Sequence, residues 1–387
     1  MDFDDNVPFL THFSQLDDPR RDHRKRHSLF DILFLSVAAV LCGANDCVAI
    51  ADFGRTHLPW LRKYVALENG APSHDTISRV LALIDPKQFE RCFVQWTSAI
   101  QSKTDGEVVA VDGKAIRGSF DKAIKQAAIH MVSAWGSANG LSLAHVKTDD
   151  KSNEITAIPK LLDMLDIKGK IVTMDAMGTQ KKIARQIIKQ RADYVLSVKG
   201  NQPDLLADIK AVFERNMANN FLEANDRILP HTYCQTVDAD HGRIETRRCW
   251  ATNVLDDIAN TKAWKGIQSI ARIDAERKSN EKTTTETRYY ISSLPPDANK
   301  IGGAVRTHWG IENKVHWVLD VNFREDASRT RKDNGPQIKS ALNRIVINIC
   351  KKDTGNNLAI SRKRHFADWD EEYRDHLMAL LINTDIL

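Results

Sequence analysis

The 387-residue chain predicts an α/β fold that opens with an all-helical segment and carries a β-rich insertion. Three observations predict it. Residues 1–104 repeat apolar side chains at helical spacing. From about residue 105, short β-branched apolar runs begin and then alternate with amphipathic helices. Between residues 231 and 294, four strand-like runs separated by polar turns interrupt that alternation.

In the N-terminal part, residues 28–42 form a dense apolar helix with Ser28 as N-cap. Helices follow over 46–57, 58–67, about 73–85 and 86–100. In the third of these Ser73 is the candidate cap, and Ile77, Val80, Leu81 and Ile84 form the apolar stripe. Residues 107–113 are a strand closed by Asp-Gly, and 127–135 and 141–149 are two more, joined by a Gly/Ser/Asn turn. Helix 154–165, strand 170–176, helix 179–190, strand 193–200 and helix 202–216 come next. Three strands in series, then helix alternating with strand, is the order of a ribonuclease-H-like mixed sheet with covering helices. The β runs cover 232–240, 244–253, 267–276 and 283–294. Helical pattern returns over 304–321 and 335–351, and the tail 353–387 shows only a helical patch near 370–381. The expected domains are therefore 1–104 (helical), 105–230 with 295–352 (catalytic), 231–294 (β insertion) and 353–387 (tail).

Composition is that of a soluble globular chain: 42% hydrophobic and 27% charged. The net charge of +4 is small, but basic residues cluster at 20–27, 243–248 and 324–332. Local clusters on a near-neutral chain point to defined polyanion contacts rather than general stickiness. None of the six cysteines lies in CxxC spacing, which argues against a structural zinc site. The N-terminus is acidic and lacks the layout of a signal peptide. The most apolar run, 29–44, is short for a membrane span and reads as a buried helix. A reducing cytoplasmic setting is expected, with no membrane contact.

Asp112 ends the first strand and Asp175 ends a later one, each after four or more apolar residues. A carboxylate there is costly unless it is paired, hydrogen-bonded or metal-bound. Glu312 lies in helix 304–321 and joins them if that helix crosses the strand ends. Three carboxylates with open positions suit Mg²⁺ or Mn²⁺. Two such ions about 3.5–4 Å apart activate a water or 3′-hydroxyl and stabilise the leaving oxygen. Taken alone, each acid also has a plainer reading as a turn former, cap or surface group. On the same helix His308, Glu312 and His316 recur every four residues, so a His/Glu/His transition-metal site competes.

Around these acids the sequence resembles the H-repeat-associated insertion-sequence transposases of the Asp/Asp/Glu (DDE) class. The resemblance runs from near residue 17 to near 345 and is carried by segments 18–29, 41–53, 72–81, 108–119, 151–180, 193–202, 240–248 and 306–329. It implies a ribonuclease-H-like catalytic domain with an inserted β domain and an N-terminal helical domain that helps to bind DNA. It implies metal-dependent cleavage at element ends and strand transfer into target DNA, with two Mg²⁺ or Mn²⁺ ions held by Asp112, Asp175 and Glu312. It implies terminal repeats and target duplex as partners, a homodimer on paired ends, and nucleoid association when bound. One departure stands out. The Tyr, Arg, Glu and Lys that often surround the final acid in the wider superfamily fall here on Val305, His308, Glu312 and Leu319, so only the Glu matches. Arg306, His308, Asn313 and Lys314 are candidate substitutes.

Further candidate DNA contacts are Lys114 and Arg117 after the first Asp, and Lys199, Asn201 and Gln202 after strand 193–200. Arg243, Arg247 and Arg248 lie in the insertion, and Arg324 and Arg329 follow the Trp-rich helix. Arg20, Arg21, Arg24, Lys25 and Arg26 form a basic arm, and Arg79 faces a groove if its helix belongs to a helix-turn-helix. Two other readings stay open: a DNA-binding relic that no longer transposes, and a related metal-dependent nuclease.

Overall fold

The computed structural model describes residues 8–22, 25–102, 104–120, 127–148, 154–222, 228–240, 243–279 and 282–382. Among them the chain opens with α1 (Pro8–Phe13), α2 (Leu29–Leu41), α3 (Cys47–Thr56), α4 (Leu58–Leu61), α5 (His74–Leu83) and α6 (Pro86–Ile100). Then come β1 (Val108–Ile116), β2 (Ile129–Gly136) and β3 (Leu141–Lys147), followed by α7 (Glu154–Asp163), β4 (Ile171–Met174), α8 (Lys181–Lys189), β5 (Asp193–Val198) and α9 (Pro203–Ala218). The β-rich stretch is β6 (His231–Asp240), β7 (Arg243–Thr252), β8 (Ser269–Lys278) and β9 (Thr283–Ser292). Last are α10 (Ala298–His308), α11 (Trp317–Val321), α12 (Gly335–Lys352), α13 (Ile360–Trp369) and α14 (Glu371–Ile382). The mixed α/β class, the helical start and the ribonuclease-H-like order of strands hold as expected. No described helix is long and apolar enough to cross a membrane.

The chain divides into two compact units. The first comprises 1–103, 113–153 and 311–387. Its axis is α12, which packs against α2, α5, α6, β3, α13 and α14. Ile338, Leu342, Ile345, Val346 and Ile349 of α12 are buried. Ser28 and Ser73 cap α2 and α5 as expected, each accepting the backbone N–H three residues on. The helix expected over 58–67 is cut to α4. Trp60 Nε1 and Tyr64 Oη both donate to Asp375 at 2.6 Å, and Leu67 takes a left-handed φ of 41°. Tertiary hydrogen bonds override the helical spacing there.

A buried polar pair joins α6 to β3. Glu90 accepts the His145 backbone N–H at 2.6 Å, and its other oxygen lies 3.1 Å from His145 Nδ1. Burial pushes the Glu90 carboxyl up to about 8 and pushes the His145 imidazole well below its ordinary range. Between about pH 6.5 and 8 the folded chain therefore holds a proton on Glu90 that the unfolded chain has released. Stability should fall as pH rises through that window. The low His145 value acts with the opposite sign only below about 6.5. Glu90→Gln keeps an acceptor for the His145 N–H and removes the titration. Urea unfolding at pH 6.5 and pH 8 should show a fall in the native chain, at most about 1.4 kcal/mol per pH unit, and a flatter profile in the variant. Equal slopes in the two proteins would refute this account.

The second unit comprises 104–112 and 154–310. Its strand order is β1-β4-β5-β9-β8-β7-β6. β1, β4 and β5 run parallel, and β9 pairs antiparallel with β5 through Val195↔Ser292 and Leu196↔Ile291. The four strands over 231–292 thus continue the hydrogen-bonding of β5 rather than standing apart from it. α10 packs on this sheet, burying Ala298, Ile301, Ala304 and Val305 against Cys249, Ala271, Ile273 and Tyr290. Parallel strands read as unbroken apolar runs because both faces are covered, as in the fully buried Ile171–Met174.

Candidate functional site

Register builds the first half of the site. In the second unit Val111 of β1 pairs with Met174 of β4 in parallel. The next residue on each strand is Asp112 and Asp175. Asp175 follows the last residue of β4, while Asp112 does not end its strand as expected: β1 runs on through Gly113 to Ile116, and Asp112 stands one residue past the last β1–β4 pair. The two carboxylates therefore leave neighbouring strands, roughly 4.8 Å apart, where their pairing stops. That edge is where open α/β sheets place ligands.

Asp175 is held by its own turn. Its Oδ1 accepts the N–H groups of Met177 (3.0 Å) and Gly178 (3.3 Å), an Asx turn. A Cβ on residue 178 would stand 2.8 Å from Met174 Sδ, so only glycine fits under the strand end. The loop after β5 braces this turn. Asn201 Nδ2 donates to Ala176 O at 2.6 Å and Gln202 Nε2 to Thr179 O at 3.0 Å. Asn201 and Gln202, expected as candidate DNA contacts, use their amides to fix the Asp175 loop. Burial, then the charge of Glu154, hold the Asp175 carboxyl above its usual range, against the two backbone N–H groups and Lys199. A carboxylate in that condition gains from a nearby cation.

Glu312 belongs to the first unit. The regular helix expected across 304–321 is interrupted: α10 ends at His308, and Glu312–His316 is a π-helical turn leading into α11. Such turns are rare and frequently mark functional positions. His316 Nδ1 meets Glu312 Oε2 at 3.0 Å; the imidazole is buried and the carboxylate half exposed. The bond to His316, partly opposed by burial, holds the Glu312 carboxyl below its usual range, with help from Lys114. His308 is instead bonded through Nδ1 to Thr173 Oγ1 at 2.9 Å, in the second unit. Asn313 and Lys314 are exposed, and the Lys314 ammonium lies 5.3 Å from the Trp135 ring centroid.

The other candidate cations divide into paired and unpaired. Lys114 is buried among Asp320 (2.7 Å), Asp326 (3.3 Å) and Glu325 (3.5 Å). Its ammonium anchors β1 two residues after Asp112. Arg117 is exposed, while its backbone N–H donates to Asp326 at 3.0 Å. Arg247 of β7 pairs with Asp238 of β6 (3.0 Å) and with Glu245 (2.6 Å), and Arg306 of α10 pairs with Asp238 (3.1 Å). Arg243 lies 4.0 Å from Glu245, and Arg248 3.7 Å from Glu276. Sequence reasoning missed Arg277, which meets Glu245 at 2.9 Å because the two are register partners. Only the strand register reveals that pairing. Lys199, Arg324 and Arg329 are exposed and make no ion pair with another described residue.

Comparison with known proteins follows the same lines. Residues 103–349 match the family described as Transposase DDE domain, and residues 10–97 match one described as DDE_Tnp_1-associated. "Putative transposase YncI" of Escherichia coli O157:H7 is 41% identical over 374 residues, covering 96% of this chain and 94% of that protein. "H repeat-associated putative transposase YhhI" of Escherichia coli (strain K12) is 41% identical over 377 residues, covering 96% and 97%. Among solved structures, the piggyBac transposase synaptic complex with hairpin DNA aligns over 97% of this chain and 81% of its own, with TM-score 0.42 and 12% identity.

Proposed function

The chain belongs to the transposase DDE-domain family, and from that premise we propose that it cuts DNA at the ends of a mobile element and joins them to target DNA. The observation that carries the reading is the parallel register placing Asp112 beside Asp175 at one strand edge. We take Glu312 as the third acid from the sequence resemblance, with its bond to His316 to orient it.

The donor set is hard oxygen from carboxylates, which fits Mg²⁺ or Mn²⁺. Two bound ions would supply charge stabilisation at the attacking and leaving oxygens of an in-line displacement. The Asp175 turn, with Asn201 and Gln202 behind it, keeps one ligand in place before substrate arrives. Burial of Asp175 makes its charge costly in isolation, so cation binding and ionisation favour each other. Lys114 and its three acids hold β1 two residues past Asp112. The duplex backbone is met by exposed cations, with Lys199, Arg117, Arg324 and Arg329 the first candidates, and by the Arg243, Arg247 and Arg306 group. Two copies on paired ends complete the reading.

The experiment is purified chain with a duplex carrying the element's own end and flank. Expected are 3′-end nicking and joining that need Mg²⁺, stop with chelator, return with Mn²⁺ and fall in Glu312→Gln. Cutting without joining would mean a nuclease. End binding with neither step would mean a relic.

A further inference from the structure

The basic arm and Arg79, far apart in sequence, line one cleft in the first unit. Its volume is about 760 Å³, and its lining includes Arg20, Arg21, Arg26, Asn69, Thr76 and Arg79. That is roughly 25 water volumes at about 30 Å³ each, far more than one phosphate needs.

The cleft is built, not a chance of exposed side chains. Arg20 is its scaffold: its guanidinium holds Asp18 through two bonds (2.9 and 2.8 Å) and donates to His27 O at 2.8 Å. Asn69 Nδ2 donates to Arg26 O at 2.7 Å, tying the arm to the loop before α5. Ser73 caps α5 from inside the cleft, so the positive end of a ten-residue helix opens there. Two nearby acids are paired with other cations: Asp18 with Arg20 and Asp22 with Lys25. Arg21, Arg26 and Arg79 make no ion pair with any described residue. Contrast the Arg247 group, where each cation meets an acid. Arg24 lies outside the described residues.

We propose that this cleft is a phosphate-backbone site for duplex DNA, gripped by Arg21, Arg26 and Arg79, and separate from the carboxylates that cut. A concave, unneutralised cationic surface concentrates field and counter-ion, and a helix N-terminus adds donors that suit phosphate oxygens. Backbone phosphates carry no sequence information, so the cleft adds affinity and register rather than base choice. The proposal rests on the reading that the chain works on DNA ends.

The test is the salt dependence of duplex binding, followed by anisotropy of a labelled end duplex with the full chain and no divalent metal. Each phosphate contact contributes about 0.9 to the slope of log affinity against log salt. Arg21→Gln/Arg26→Gln/Arg79→Gln should flatten the slope by about 2–3, and the corresponding triple Lys variant should restore it. Melting temperature checks that the Gln variant is folded. A slope unchanged in the Gln variant, with melting temperature unchanged, overturns the cleft and leaves the cleavage reading standing. Inorganic phosphate that displaces duplex from the native chain beyond chloride of equal ionic strength, but not from the Gln variant, also overturns it, since the site would then prefer free phosphate. A native chain that binds no duplex removes both readings.

Discussion

Asp175→Asn and Asp112→Asn are each expected to lower metal-dependent strand cleavage by at least about a thousandfold while leaving the fold intact. A metal ion offers several kcal/mol of charge stabilisation in such a displacement. Each 1.4 kcal/mol is about tenfold in rate, so loss of one ligand from a carboxylate set accounts for that factor. Structure should survive because in Asp175→Asn the new side-chain amide still offers an oxygen to the N–H groups of Met177 and Gly178. Stability at neutral pH should even rise slightly. Burial holds the Asp175 carboxyl above its usual range, so the ionised form costs folding free energy there. Rate and stability thus move in opposite directions, which a merely structural acid would not do. Cleavage at the native rate in either variant, with normal melting, sinks the assignment of that residue.

How much of this was legible follows from what each signal depends on. β1 and β4 were legible because strands covered on both faces are continuous apolar runs, and an Asp that ends such a run stands out. Their adjacency was not, since register across 63 residues is a tertiary fact. α13 was illegible because its cations look like surface residues. Lys363 and Arg364 are buried there, spending their donors on the carbonyls of Cys350, Asp353 and Val40. α4 was over-extended because Asp375, more than 300 residues away, captures Trp60 and Tyr64. Of the candidate contacts, Asn201 and Gln202 also brace the Asp175 loop, and Lys114 was read beside Asp112 without the acids at 320–326 that enclose it. Trp60, Tyr64 and Lys114 share one cause: a polar side chain whose partner lies more than 200 residues along the chain.

The largest stability effect is expected from one such partner. Glu325→Ala should cost about 3–5 kcal/mol, the range for removing one member of a buried pair. Glu325 is 3% exposed and accepts from Ser340 Oγ at 2.6 Å. It lies 3.7 Å from the Arg344 guanidinium and 3.5 Å from the Lys114 ammonium. Arg344 is wholly buried, and its other contacts, Ser340 O and Ser133 Oγ, are neutral. Burial already pulls the Arg344 pKa down, and Glu325 is the first charge opposing that fall. Without Glu325 the guanidinium keeps its desolvation cost and loses its nearest counter-charge. Lys114 loses one of three acids at the same time, so the strand end beside Asp112 loosens too. The surface pair Arg55–Asp52, more than half exposed on both sides, sets the contrast: Asp52→Ala should cost no more than about 1 kcal/mol. The double variant Glu325→Ala/Arg344→Met should recover part of the loss, because an apolar replacement leaves no buried charge behind. Urea midpoints and thermal melting of the four proteins decide it. A cost for Glu325→Ala as small as that for Asp52→Ala would mean that solvent reaches Arg344, and that the network does not hold the end of β1.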